Sequence, residues 1–306
     1  MTQLKDSRLV MLWQRVNDLD RSLQELDELG LNWKAQVDVA GCTHAISAGT
    51  VILGRWQQDF DSLHARKAAR MDFKSFEMAP NSASELVIVS NSSSLEAATR
   101  SLRRRFDAER APVEAAVGRS VSTVDSSGNV LTLLQPNDEF LSKREPRNAE
   151  FIMGYSMSEE QPNPIAVIRR HTENLDRSAE FYKSLLEMPY IGGDREIRFR
   201  PGLCELSLVE EPLPGATRAL NKIGRLSPDW MLMHVWNIEK TAAELESKGI
   251  HMPFGIERTS YGPLIYVSDP DGHPVVYWQQ YEEVPPQGNE VRPEVNRILT
   301  ELDRGG

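Results

Sequence analysis

Arginine, histidine and tryptophan residues recur at even spacing in two extended segments of the second half of the chain. One segment carries Arg169 and His171, and the other carries Trp230, His234 and Trp236. Because side chains alternate across a β-strand, residues at even spacing share one face. A guanidinium binds a carboxylate with paired hydrogen bonds, tryptophan packs against planar rings, and histidine exchanges a proton near neutral pH. These residue types indicate a pocket for a small aromatic or carboxylated molecule.

The composition argues against several other classes of function. The chain has 35 Lys and Arg residues against 45 Asp and Glu, a net charge of −10, which repels nucleic acids and anionic membranes. Two cysteines, Cys42 and Cys204, cannot form a disulfide scaffold or a four-cysteine zinc site. The N-terminus lacks a signal-peptide pattern, and no run approaches about 18 apolar residues. We therefore expect a cytoplasmic protein with a small-molecule partner, and self-association into a homo-oligomer stays open.

An internal duplication provides the elements that must position these side chains. Leu19-Asp-Arg-Ser22 recurs as Leu175-Asp-Arg-Ser178, and the turn Asp125-Ser-Ser-Gly-Asn129 recurs as Asp269-Pro-Asp-Gly-His273. Each copy repeats internally as a strand, an amphipathic helix and further strands. The pattern predicts the α+β fold class, with four βαβββ modules in two tandem domains, each a pair of modules forming one curved mixed sheet.

The sequence predicts two domains with different roles. We expect domains at 1–136 and 164–282, a polar linker at 137–163 and a tail at 283–306. The first domain is expected to be structural and the second to hold the ligand cleft. Two finer expectations concern turns: Gly249 ends a helix as its cap, and His273 is exposed.

Two motifs resemble the vicinal-oxygen-chelate superfamily, which holds glyoxalase I, the bleomycin- and fosfomycin-resistance proteins and the extradiol ring-cleaving dioxygenases. They are Leu-Asp-Arg-Ser-x-x-Phe-Tyr at 175–182 and Tyr-Val-Ser-Asp-Pro-Asp-Gly at 266–272. The resemblance spans about 8–136 and 164–281, and implies a cleft on the concave face of each sheet. It also implies that Tyr266 stands where the family keeps a tyrosine near its metal.

The family usually holds a divalent metal with a histidine on the first strand of each module and a glutamate on the last. The resemblance places these positions at six residues: Val167, Trp230 and Val276 in the second half, and Met11, Val87 and Thr132 in the first. None is a useful ligand for Fe, Mn or Zn. We therefore expect no metal and no other cofactor. Iron or manganese would need ligands in another register, such as His171, His234 and Glu205.

Three hypotheses follow from these residues. The first is a metal-independent cleft for an aromatic or carboxylated compound, acting by sequestration or by the proton-transfer chemistry of a lyase or isomerase. Its expected ligand-binding residues are Arg169, Trp230, Trp236 and Trp278, and its candidate catalytic residues are His171, His234 and Tyr266. The second is a metal-dependent extradiol dioxygenase or glyoxalase-type lyase, and the third is a catalytically silent assembly protein. The missing ligands disfavour the second hypothesis, and the arginine, histidine and tryptophan enrichment favours the first over the third.

Overall fold

Two eight-stranded mixed sheets make up the computed structural model of this chain. The structure describes residues 2–16, 18–28, 35–39, 42–47, 50–58, 84–90, 95–97, 99–100, 112–115, 117–144, 149–150, 152–153, 164–210, 229–259, 262–282 and 291–303. The strands group into four consecutive modules of four strands each.

The first sheet has the order β14-β15-β16-β13-β1-β4-β3-β2. Its strands are β1 (Arg8–Arg15), β2 (Ala35–Val39), β3 (Cys42–Ser47), β4 (Ile52–Gln58), β13 (Asp229–His234), β14 (Ile256–Thr259), β15 (Gly262–Ser268) and β16 (Pro274–Trp278). The first and fourth modules therefore lie side by side in it.

The second sheet has the order β10-β11-β12-β9-β5-β8-β7-β6. Its strands are β5 (Ser84–Val89), β6 (Val113–Ala115), β7 (Gly118–Val124), β8 (Val130–Pro136), β9 (Ile165–His171), β10 (Tyr190–Gly192), β11 (Glu196–Phe199) and β12 (Glu205–Val209). This sheet joins the second and third modules.

Every module repeats one internal arrangement. Its first strand lies parallel to its last, as in β1 with β4, β5 with β8, β9 with β12 and β13 with β16. A parallel neighbour requires a long crossover connection, which the segment after each first strand supplies. The module, rather than the half-chain, is therefore the repeating structural unit.

The fold class and the four modules agree with the sequence prediction, but the modules pair differently. The two modules of one half were expected to share a sheet, whereas β1 pairs with β13 and β5 pairs with β9, both antiparallel. Hydrophobic patterning predicts that a strand is buried without specifying its partner, and all four first strands carry similar patterns. The boundaries at 136 and 164 along the chain stay a prediction.

The sheets are accompanied by helices α1 (Leu19–Glu28), α2 (Asp138–Ser142), α3 (Leu175–Glu180, continuing as a π-helical turn over Phe181–Leu185), α4 (Ile238–Ser247) and α5 (Val291–Asp303). Residues 95–97, 99–100, 149–150 and 152–153 are also helical. Asn174 and Asn237 cap α3 and α4, each accepting from a backbone amide three residues on. Gly249 follows α4 with φ of 70°, which confirms the predicted cap. No helix in these ranges is long and apolar enough to cross a membrane.

A continuous apolar core joins both sheets to helices α1, α3 and α4. Leu12 of the first sheet and Ile168 of the second lie in it, together with Leu23 of α1. We call the opposite surfaces the first cleft face, which carries Met11, Ile52 and Trp278, and the second cleft face, which carries Val87, Thr132 and Arg169. Any ligand site of the kind predicted must lie on one of these two faces.

A fully buried arginine ties the second sheet to the first. Arg170 of β9 donates to the Ser84 hydroxyl at 3.1 Å, the Tyr182 hydroxyl at 2.8 Å and the Asp229 carboxylate at 3.1 Å. Ser84 begins β5 and Asp229 begins β13, so the network joins three modules. A buried guanidinium is tolerated only when it is paired and hydrogen-bonded in this way.

The repeated aspartate-glycine turns are held together by hydrogen bonds to the side chain of their first aspartate. Asp269 accepts from the backbone amides of Asp271 and His273 at 3.0 and 2.7 Å, and Asp125 does the same in its own turn. The expectation that His273 is exposed is wrong, because its side chain is buried and its Nε2 lies 3.2 Å from the His171 carbonyl oxygen. The turn folds beneath β9 instead of projecting into solvent.

Candidate functional site

The residues predicted to line one cleft lie on two different sheets. Arg169 and His171 belong to β9 of the second sheet, and His234 belongs to β13 of the first. The remaining four also belong to the first sheet or its border: Trp230, Trp236, Tyr266 and Trp278. The predicted cleft of the second half is therefore divided, because β9 and β13 pair with strands of the other half instead of with each other.

The first cleft face is covered by the C-terminal helix. Val295, Ile298 and Leu299 of α5 pack with Met11, Ile52 and Trp278 in one buried apolar cluster. The predicted alternation along β13 is correct, since Trp230 and Leu232 lie on this face while Met231 and Met233 enter the main core. The face is apolar and filled where α5 lies on it.

His234 lies in an aromatic environment on the first sheet. Its ring meets Trp236 edge-on at 4.7 Å between centroids and Trp278 edge-on at 6.0 Å. Burial lowers the pKa of His234 to about 4, so the ring is neutral at physiological pH. Its Nδ1 has no hydrogen-bond partner among the described residues. This environment favours a packed, neutral histidine over a proton carrier.

The other predicted residues of the first sheet differ in exposure. Trp230 and Trp278 are buried, whereas Trp236 is 56% exposed. Tyr266 packs edge-on against Phe254 at 5.9 Å, and burial raises its pKa above the ordinary value, with the Glu257 charge acting in the same direction. The phenol is therefore protonated at neutral pH.

The second cleft face holds a cavity of about 310 Å³. One side is apolar, formed by Val87, Val117, Leu134 and Phe140. Val87 and Leu134 come from adjacent strands of the second module, and Phe140 comes from α2, whose cap Asn137 starts the helix directly after β8. The predicted linker thus contributes a wall of the cavity.

Charged residues of neighbouring strands also line this cavity. Glu85, Arg169, Ser207 and Arg198 are paired in register on β5, β9, β12 and β11, and of these Arg169 and Arg198 line the cavity. Arg169 donates to Glu85 at 2.9 Å, and Thr132 donates to the other oxygen of that carboxylate. Arg169 is the predicted site residue that the structure places at a cavity, and its side chain is 29% exposed. His171 lies two residues further along β9 and therefore on the same face of the strand as Arg169, but it does not line the cavity.

A buried ion pair lies beside the cavity. The Arg144 guanidinium donates to the Glu205 carboxylate, and both side chains are at most 5% exposed. Burial raises the pKa of Glu205, while the charges of Arg144 and Arg198 oppose that change. Arg144 also lies 4.3 Å above the Phe140 ring, a cation–π contact. No signal in the sequence points to Arg144, because its ion-pair partner Glu205 lies 61 positions away along the chain.

The donor set at the metal positions implied by the family does not fit a divalent metal. Strand register pairs Val87 with Thr132 and Val167 with Glu205 on the second sheet. On the first sheet it pairs Met11 with Ile52 and Leu232 with Val276, so Leu232 replaces Trp230 as the position opposite Met11. Glu205 is the one carboxylate among these eight residues, and it is already ion-paired with Arg144. No group of three or more potential ligands occurs in the described ranges. His171 and His234 also lie on different sheets.

Solved structures of a glyoxalase I and of a candidate dioxygenase share the fold of this chain over most of its length. Glyoxalase I from Zea mays is similar over 95% of this chain and 96% of its own, with a TM-score of 0.60 and 14% identity. A candidate dioxygenase from Bacillus subtilis subsp. subtilis strain 168 is similar over 95% of each chain, with a TM-score of 0.58 and 13% identity. No family model and no curated protein matches the sequence. At these identities the likeness establishes the fold alone.

Proposed function

We propose that the second cleft face binds a small carboxylated compound with an aromatic or apolar body, without a divalent metal. The cavity of about 310 Å³ between the arginines and the apolar wall is the observation that supports this proposal. Binding pockets of this class are mostly apolar, with a few polar groups that fix orientation. Its volume lies at the lower end of the usual range and suits a single ring with a short side chain.

Arg169 and Arg198 are the proposed ligands of the acid group. Their side chains are 29% and 20% exposed, so both guanidinium groups can be reached from the cavity. Arginine offers five N–H donors, and the ion pairs of Arg169 with Glu85 and Glu196 involve Nη1 and Nε. Donors therefore remain for a carboxylate bound at the exposed parts of Arg169 and Arg198.

The proposed role without turnover is sequestration of the ligand. His234 and Tyr266 lie on the other sheet, which leaves His171 as the predicted proton carrier nearest this cavity along the chain. A lyase or isomerase activity would therefore depend on His171. Sequestration needs the arginines and the apolar wall alone, so it is the simpler proposal.

Metal independence is testable apart from ligand binding. After purification without oxygen and re-equilibration with Fe(II) and Mn(II), we expect elemental analysis to find no tightly held metal. About one metal per chain would contradict the proposal and would favour the dioxygenase or glyoxalase-type alternative.

The first experiment is calorimetric titration with a panel of aromatic acids in the presence of a chelator. Arg169→Ala should weaken binding by about 1.5–3 kcal/mol, the usual contribution of a charge-assisted hydrogen bond. Arg177→Ala is the matched control, because Arg177 is exposed on α3 and its substitution removes the same charge. Equal affinities for the two variants would return Arg169 to a structural role, and a wild-type protein that binds no acid would refute the proposal.

A further inference from the structure

We infer that the ligand of the second cleft face carries an ammonium group beside its carboxylate, as an aromatic α-amino acid does. This inference rests on the proposed function and narrows its ligand class. It follows from the signs of the charges that remain at the cavity after the ion pairs of the site are taken into account.

Three of the four cations at the cavity already have close carboxylate partners. The Arg144 guanidinium is held by the buried Glu205 carboxylate, and the Lys143 ammonium lies 2.6 Å from Glu139 on the neighbouring turn of α2. Their charges are therefore largely balanced before a ligand enters. Arg169 is paired with the buried Glu85 carboxylate at 2.9 Å, and Arg198, the remaining cation of the lining, lies 3.9 Å from Glu205.

Two carboxylates line the same side of the cavity. Asp194 lies two residues before β11, Glu196 begins that strand, and Arg198 follows two residues later on it. After the ion pairs are counted, one cation, Arg198, and two anions, Asp194 and Glu196, remain at the cavity instead of a uniformly positive wall. A ligand with a single negative charge would match only Arg198.

Strand register sets the spacing of the two arginines. Arg169 and Arg198 both pair with Ser207, which lies between them on β12. Adjacent strands lie about 4.8 Å apart, so the two arginine Cα atoms are separated by about 10 Å. Ser207 itself is fully buried and donates to Glu196, so a ligand carboxylate can reach the two guanidinium groups only at their exposed parts.

Glu196 distinguishes a zwitterion from a simple acid at this position. Its Oε1 accepts from the Ser207 hydroxyl and lies 3.7 Å from Arg169 Nε, beyond ordinary hydrogen-bond distance. A carboxylate bound by Arg198 would therefore lie close to a second negative charge, that of Glu196, which Arg169 does not fully neutralise. An ammonium on the neighbouring carbon of the ligand would meet Glu196 and relieve that repulsion.

The test compares three ligands that share a phenyl ring and a two-carbon chain: L-phenylalanine, 3-phenylpropanoate and 2-phenylethylamine. Calorimetry at pH 7 on the full chain should show L-phenylalanine binding about tenfold more tightly than 3-phenylpropanoate, with 2-phenylethylamine weakest. The same order should hold for L-tryptophan against 3-indolepropanoate. An acid that binds as tightly as its amino acid overturns the inference and leaves the proposed function intact. Failure of both acids and both amino acids to bind would refute both.

Two variants test which side chain contacts the ammonium group and which contacts the carboxylate of the ligand. Glu196→Gln keeps an acceptor for Ser207 and should weaken L-phenylalanine at least fivefold without weakening 3-phenylpropanoate. Arg198→Gln should weaken both ligands to a similar degree, because both carry the carboxylate. Glu180→Gln, on the exposed surface of α3, is the matched control for the first change. If Glu196→Gln weakens both ligands equally, Glu196 only positions Arg169 and the ammonium contact is refuted.

Discussion

The two cleft faces have the same strand order but opposite contents. The first is buried under α5 in an apolar cluster that includes Met11, Ile52 and Trp278. The second holds a cavity with arginines and carboxylates on one side and Val87 and Phe140 on the other. One duplicated framework therefore supports a packed helix on one sheet and a polar cavity on the other.

The difference between the faces arises mainly on the last strand of each module. The first-strand positions nearest the centre are apolar on both faces. Their parallel partners differ: Ile52 and Val276 lie on the first face, whereas Thr132 and Glu205 lie on the second. Polar groups at these two positions recruit Glu85 and Arg144, which prevents close apolar packing. Apolar groups at the same positions allow α5 to pack.

The largest expected effect tests this difference with one substitution at two equivalent positions. Ile52→Asn should lower the free energy of unfolding by about 4 kcal/mol, because it removes a buried apolar side chain and buries an amide without partners. Thr132→Asn should cost about 1 kcal/mol, because the amide borders the cavity and can still donate to Glu85. Urea unfolding followed by circular dichroism measures both. Similar losses for the two variants would show that the faces are not chemically distinct.

Much of the fold was predictable because its determinants are local. The alternation along β9 and β13 and the cap at Gly249 depend on residues that are neighbours in sequence. Both features are present in the structure, and Arg169 lies at a cavity. The repeated motifs at Leu175 and Asp269 predicted the fold class because they mark the same module in each copy.

Which strands form each sheet, and which residues line the cavity, depend on contacts between residues that are distant in the sequence. Arg144 meets Glu205 across 61 positions, and Arg169 meets Glu85 across 84 positions. No local pattern specifies such pairs. No local pattern specifies either that β9 pairs with β5 instead of with β13. The predicted single cleft was divided for this reason, and the covering role of α5 was missed.

A smaller effect concerns the pH dependence of stability on the first face. Burial lowers the pKa of His234 from 6.5 to about 4, so the folded state favours the neutral ring. The unfolded chain gains a proton as the pH falls below about 6.5. The neutral ring therefore makes its full contribution to the free energy of unfolding above about pH 6.5. This contribution decreases by about 3 kcal/mol as the pH falls towards 4.

Unfolding of the His234→Gln variant measures this contribution. The variant should lose stability less steeply than the wild type between pH 6.5 and 4, whereas His251→Gln, at an exposed position, should behave like the wild type. His273 is also buried with a lowered pKa, so part of the slope should remain. A slope unchanged by His234→Gln would place a charged His234 on the first face and contradict its apolar character.

The smallest expected effect concerns Trp236, which the sequence placed in the ligand cleft. The side chain is 56% exposed, lies beside His234 on the first sheet and does not line the cavity of the second. Trp236→Ala should therefore change the affinity for aromatic acids by less than about twofold and the free energy of unfolding by about 0.5 kcal/mol. Calorimetry with the acid panel checks the first value. A large loss of affinity would mean that the ligand binds at the first sheet beside Trp236, which would reverse the assignment of the two faces.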